Sequence, residues 1–498
     1  MTAASGLLRP RLWGASDPCP TEQGVLCPLP YKLGQFPSNV FSPSWPDLTL
    51  KRPLWSELLK PGNSQFDSVV ADLRRAYRQM AAYDSLDPRS LLYQASLHRY
   101  YCGHDGGEQS LPPTVRGIHD NWAFLPWHRA FIYFHERLIQ HESGNPKFRL
   151  PVWDWETSFG HQVPAVYNDL GPIQDPKCKC QRRTSIPPIR ACTIQAWLQC
   201  DFTAFVGTDT EPPAAQSGPH STVHVKLGGY MSALQTAAAD PVFYAHHANI
   251  DRFWLHWRTM HDQQNLPDVQ AGKQFYFFDF PIGQNPKPVV VTAHDFEDIS
   301  KLGYTYDSPA YTFADVTLVN ATKTGSQGIL TLEAGAVDKF SAWLQNVFPF
   351  VPVEDFRDWL TNGAQSASLA ALGMLAVATN LMLPVRVGFK LPKVQPGRFY
   401  LIGFKAPDQP VGDAEIIGGF GAFTHHTAET RFNAAACFKA PQLIRFLEIL
   451  SKAHGFQLVC GPAKQDFSDD RLDAVTAIEN GQLVIVNPVF FEIQLPKS

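Results

Sequence analysis

Charge of one sign is the first thing this 498-residue sequence lacks: 42 Lys and Arg stand against 46 Asp and Glu, a net charge of −4. No basic arm or Lys/Arg-rich run occurs, which argues against a nucleic-acid surface. Long apolar runs are missing too. Nothing approaches the ~20 uninterrupted apolar residues of a membrane span, and the most apolar stretch, 369–383, is short and Ala-rich, as in a buried helix or hairpin. No apolar signal core follows Arg9 and Arg11. The chain is therefore expected to be soluble, and either cytoplasmic, the slight preference, or exported with its signal removed. Internal repeats and low-complexity tracts are absent as well.

Cysteine is present in moderate number. Nine occur, so an odd one stays outside any disulfide scheme. The cluster Cys178, Cys180, Cys192 and Cys200 fits no standard zinc spacing and reads as disulfides or free thiols before a thiolate metal site. The hydrophobic fraction of 44% suits a folded globular protein, and the length suits two domains. Residues 1–60 are Pro-rich and irregular. Apolar residues at helical spacing predict helices over 66–80, 90–101, 126–142, about 222–225 and 240–261, with a short one near 193–205 among Pro- and Cys-rich loops. Residues 275–291 read as a linker crossing a surface. Beyond 311, short alternating runs around 316, 328, 385, 399, 483 and 490 predict strands, interrupted by one helix over 442–453. The expected domains are the N-terminal segment 1–60 packed on a mainly α catalytic domain of 61–265, a linker over 266–305, and a mainly β domain of 306–498.

Histidine is abundant, at seventeen, and its placement is informative. His220 and His224 are four apart, which on a helix puts both imidazoles on one face, close enough to share a metal. His98, His119 and His128 form a second group, set among aromatic residues. Three imidazoles with open positions suit copper, and six imidazoles in an apolar bundle need partners that metals supply. For His104, His135, His141, His161, His256, His261, His294 and His454, an ordinary packing role is the favoured reading.

These segments resemble the type 3 copper proteins: tyrosinases, catechol oxidases (polyphenol oxidases) and haemocyanins. His119-Asp-Asn-Trp-Ala-Phe-Leu-Pro-Trp-His128 resembles the family's first copper motif, and Leu150-Pro-Val-Trp-Asp-Trp-Glu156 the segment after it. His220-x3-His224 and Asp240-Pro-Val-Phe-Tyr-Ala-His-His-Ala-Asn-Ile-Asp-Arg-Phe-Trp254 resemble the second. The resemblance implies a four-helix bundle around two copper ions that bind O2 as peroxide. His98, His119 and His128 would hold the first copper; His220, His224 and His247 would hold the second, with His246 behind them. It also implies a thioether between Cys102 and His119. Leu234 would sit over the first copper, Phe243 would stack on the site, and Val225, Asn249 and Asp251 would lie around it, Asp251 and Arg252 as a structural pair.

The implied reaction is oxidation of o-diphenols to o-quinones, with small phenols and O2 as the partners. Ortho-hydroxylation of monophenols is expected to be weaker. Gln216 stands where many members carry a base-orienting Glu, Ser221 where efficient tyrosinases often carry Asn, and Glu211 is the substitute acid. The alternatives are a haemocyanin-like oxygen carrier, an o-aminophenol oxidase and a non-redox metal protein. By the same resemblance the β domain would be a lid, with Phe420 or Phe423 as its plug. Substrate preference, oligomeric state and latency are not legible.

Overall fold

Phe66 to Met80 carry apolar side chains on one stripe, and Val70, Leu73, Tyr77 and Met80 are buried on one face of a helix. The computed structural model describes residues 50–496 apart from internal segments, the longest being 103–116, 171–181, 362–380 and 465–477. Cys19, Cys27, Cys178, Cys180, His104, His454 and most of 369–383 and of the N-terminal segment fall outside the described residues. In chain order the main helices are α1 (Phe66–Ala82), α2 (Leu91–Tyr101), α3 (Phe124–Ser143), α4 (Ala191–Leu198), α5 (Ser221–Leu227), α6 (Val242–Met260), α7 (Ala336–Val347) and α8 (Ala440–Ala453). The main strands are β1 (Gln274–Asp279), β2 (Lys287–Thr292), β3 (Val316–Thr324), β4 (Ile329–Leu332), β5 (Met382–Leu391), β6 (Phe399–Lys405), β7 (Glu415–Gly421), β8 (Thr430–Lys439), β9 (Phe456–Pro462) and β10 (Asn487–Pro496).

Two compact units result. One holds the described residues of Met1–Ile186 and Leu227–Pro309; the other holds those of Pro187–Lys226 and Ala310–Ser498. The short segment 187–226, which carries His220 and His224, thus groups with the β-rich part of the chain.

The helical unit is built around α3. Ser90 starts α2 by accepting from the Tyr93 N–H at 2.9 Å. Helix α3 begins at Phe124, two residues before Pro126, because a proline in the first turn has no intrahelical N–H bond to lose. It ends at Gly144, whose φ of 73° is the left-handed value that glycine tolerates. Both α3 and α6 are buried nearly all round, so their length and apolar content, not an amphipathic stripe, mark them as core helices. Residues 274–292, expected as a linker, form the hairpin β1–β2 instead. Phe277 of β1 packs on Trp127 and Phe134 with ring centroids at 5.5 and 5.1 Å. Alternating aromatic and β-branched residues made these strands; the prolines that suggested a linker sit at strand ends.

The second unit is a nine-stranded antiparallel sheet in the order β8-β5-β10-β3-β4-β9-β6-β7, with the pair Val484–Ile485 against β9. Its end strands approach each other: a Cβ on Gly418 of β7 would meet the Ala436 Cβ of β8 at 2.8 Å. The sheet curls around one apolar core that includes Phe389, Phe404, Phe420, Phe438, Phe446 and Phe491. Helix α7 was not expected; Phe340, Trp343 and Leu344 are its buried face, a helical spacing that the surrounding strand signals masked.

The described cysteines of the cluster are one disulfide partner and one thiol, with a pairing that spacing did not suggest. Cys192 of α4 is bonded to Cys437 of β8, far outside the 178–200 cluster, and Cys200 is buried and not in a disulfide. Sequence spacing cannot reveal a pairing made by packing a helix on a sheet.

Candidate metal centre

His98 lies in the last turn of α2, His119 in the loop before α3, and His128 in its second turn. The turn around His119 places Asp120 at a φ of 61°, a left-handed value that Asp accepts more readily than most residues. All three histidines are buried, and one ligand nitrogen from each lies within 4.8 Å of the others. His98 Nε2 and His128 Nε2 are 3.4 Å apart.

The hydrogen bonds determine which nitrogen is free to coordinate. His128 Nδ1 lies 2.7 Å from the Phe124 carbonyl. A carbonyl only accepts, so Nδ1 carries the proton and Nε2 presents its lone pair. Burial depresses the His128 pKa to about 3, so the ring is neutral, the form a metal needs. His220 repeats the device in the second unit. Its Nδ1 donates to the Gln216 carbonyl at 3.0 Å, and its ring lies 4.6 Å from that of His224. Buried imidazoles with Nδ1 anchored on carbonyls and Nε2 turned to the interior fit a copper ion well.

His246 and His247 are chemically distinct. Trp155 Nε1 donates to His246 Nδ1 at 3.0 Å, which occupies that nitrogen. His247 instead stacks on His128, with centroids at 4.4 Å and planes 8° apart, and meets Phe243 at 4.1 Å. Phe243 also packs edge-on to His98 at 5.1 Å. Cys102 Sγ is 3.4 Å from His119 Nδ1. Leu234 is buried in the same unit.

His220 is aimed by a wide turn, Gln216–His220, kinked at Gly218. Any Cβ there would strike the Trp197 ring at 2.8 Å, and Trp197 is itself anchored by donating to the Ala214 carbonyl at 2.7 Å. Ser221 Oγ also donates to the Gln216 carbonyl, at 2.6 Å. Val225 is buried beside Gly421. The two phenylalanines of the Gly-rich strand end separate. Phe423 stacks on His224 at 3.9 Å and meets His220 at 5.5 Å. Phe420 packs on Phe389, Tyr400 and Phe432 in the sheet's own core, whereas Phe423 lies two residues beyond the end of β7.

Asp251 and Arg252 do not pair with each other. Adjacent helix positions point about 100° apart. Asp251 pairs with Arg129 and accepts from Tyr304 and Tyr306 hydroxyls at 2.8 and 2.6 Å. Arg52 joins from the far end of the unit, bonded to Glu136 at 2.8 Å. Arg252 pairs with Glu156 at 2.7 Å, and Asn249 bridges that pair. Glu211 is half-exposed and committed to Arg431. The cluster of Arg52, Arg129, Glu136, Tyr304 and Tyr306 was not legible in the sequence, since its members are scattered over 250 positions with no shared motif.

Residues 88–185 and 174–260 match the model of the common central domain of tyrosinase. Polyphenol oxidase A1, chloroplastic, of Vicia faba is 30% identical over 277 residues, 47% of this chain and 44% of that protein. Polyphenol oxidase, chloroplastic, of Malus domestica is 28% identical over 326 residues, 56% of this chain and 54% of that protein. The chain thus spans about half the length of the curated relatives it matches. Their chloroplastic names lend no support to the expected cytoplasmic preference; no helix among the described residues is long and apolar enough to cross a membrane. The structure of a recombinantly expressed latent aurone synthase (polyphenol oxidase) shares the fold, with a TM-score of 0.56 at 18% identity over 95% of this chain and 94% of that one.

Proposed function

We propose that the chain, which matches the common central domain of tyrosinase over 88–185 and 174–260, is a type 3 copper protein of the tyrosinase and polyphenol oxidase kind and oxidises o-diphenols to o-quinones with O2. The convergence of His98, His119 and His128 in an apolar interior carries this reading. These three would hold the first copper. His220, His224 and His247 would hold the second; all three fall within the matched segment 174–260. When bound, the two ions supply electron transfer between catechol and O2, in the balance of two catechols and one O2 giving two o-quinones and two waters.

The chain's own residues prepare that chemistry. The Phe124 and Gln216 carbonyls accept from Nδ1 of His128 and His220, so Nε2 of each ring is the nitrogen that would coordinate. Phe243 gives His98 and His247 an apolar wall, excluding water from the donors. Cys102 would form a thioether to the His119 ring, a reading supported by their proximity. Phe423, stacked on His224, would be the plug that shields that ligand from bulky phenols.

Diphenol oxidation outranks monophenol hydroxylation. Gln216 is an amide, unable to take a phenolic proton, and Glu211 is held by Arg431. Metal analysis is expected to give two coppers per chain, and catechol should yield quinone with O2 uptake. A copper-loaded chain that bound O2 reversibly and left catechol untouched would be a carrier instead. Tyrosine turned over as fast as its catechol, without a lag, would reverse the ranking.

A further inference from the structure

Away from the histidines of the copper motifs, at the far end of α6, the helical unit has a cavity of about 530 Å³, lined in part by His294. That is room enough for a small organic molecule. Arg258, Glu297, Ile299, Lys301 and Leu255 are among the residues that line it. None of them belongs to the copper motifs.

Arg258 is the unusual group. It is only 6% exposed. Its Nη2 donates to Asn265 Oδ1 at 2.6 Å, and its Nε has no hydrogen-bond partner among the described residues. No carboxylate among those residues forms an ion pair with it. Glu297 is near, but its oxygens accept from the Leu266 N–H and from His294 Nδ1. Asp298 is turned to the N–H and hydroxyl of Ser300. Burial, reinforced by the positive charge of Arg129 and only partly offset by the negative charges of Glu297 and Asp298, pushes the Arg258 pKa down to about 10. A buried cation without a direct counter-charge is costly, and an anion in the cavity would relieve that cost. Lys301, exposed at the rim, adds a second positive charge.

We propose that this cavity binds a small organic carboxylate, its oxyanion on Arg258 and Lys301 and its apolar body against Leu255 and Ile299. Glu297 and Asp298 at the cavity accept from other donors, while Arg258 Nε has no acceptor among the described residues, so an incoming oxyanion would fill a place that these acids leave open. A planar guanidinium suits a carboxylate in particular. The aliphatic walls favour a hydrocarbon body over a bare inorganic ion.

The inference does not rest on the oxidase reading, and its test reads binding, not turnover. Calorimetric titration of the copper-loaded full chain with cyclohexanecarboxylate, and separately with inorganic phosphate, is the experiment. Saturable binding of the carboxylate is expected, abolished in Arg258→Gln and weakened at least about fivefold in Lys301→Glu. The exposed Lys301 keeps the test decisive if Arg258→Gln fails to fold. A carboxylate bound at copper would be unaffected by either substitution, so binding unchanged in both overturns the proposal. So does the absence of saturable binding, or phosphate binding as tightly as the carboxylate.

Discussion

At the scale of single residues, the adjacent pair His246–His247 shows how one hydrogen bond gives two like residues different surroundings. Sequence places two imidazoles side by side; the indole of Trp155 occupies Nδ1 of one and leaves the other facing Phe243 and His128. His247→Ala is therefore expected to reduce bound copper from two per chain towards one, read by metal analysis. His246→Ala should keep both ions and instead lose about 1–3 kcal/mol in denaturant unfolding, since it strands a buried indole N–H. Asp251 is a contrasting case. It joins Arg52, Arg129, Tyr304 and Tyr306 in a buried cluster. Asp251→Asn leaves two buried guanidiniums without that charge, and a loss of about 3–5 kcal/mol is expected in the same measurement. The motif made Asp251 conspicuous in the sequence. Its partners were not, because Arg52 and Tyr304 are brought to it only by the parallel pairing of Leu50–Lys51 with Tyr304–Thr305.

Among the elements, α5 and the end of β7 depend on each other. Gly421 lies so close that a Cβ would stand 2.3 Å from the Ser221 carbonyl oxygen. Helix and strand touch backbone to backbone, and this sets Phe423 on His224. Gly421→Ala is expected to destabilise the β unit by about 1–3 kcal/mol through overpacking. Phe423→Ala leaves the backbone contact intact. It should raise kcat/KM for a bulky catechol several-fold while changing that for catechol itself little, by O2-uptake rates. Equal effects on both substrates would remove Phe423 from the plug role. Element existence was largely legible: α1, α2, α3 and α6 follow apolar runs and caps that sequence displays. The hairpin β1–β2 was misjudged because prolines at strand ends resemble those of a linker, and α7 because strand patterns surround it.

Across the whole molecule, the Cys192–Cys437 bond ties α4 to β8 across a separation of 245 residues. Closing so long a loop restricts the unfolded chain strongly, and replacing both cysteines with serine is expected to cost about 2–4 kcal/mol. Denaturant midpoints of the variant against the parent, both under oxidising conditions, test this. The grouping of 187–226 with the β strands is likewise a property of the folded chain, invisible to a reading that divides it by texture. What the sequence by itself determined is where the candidate donors lie: histidines gathered in two motifs, their helical or loop setting, and a helical part followed by a β part. Spacing along a helix and motif chemistry are local, so a linear reading reaches them. Only tertiary structure decided which nitrogen of His128 and His220 is anchored to a carbonyl, which of two phenylalanines meets the histidines, where Cys192 finds its partner, and that Arg258 is buried with no ion pair among the described residues. Each of these depends on distances between residues far apart in the chain, and those distances exist only once the helices and sheet have packed.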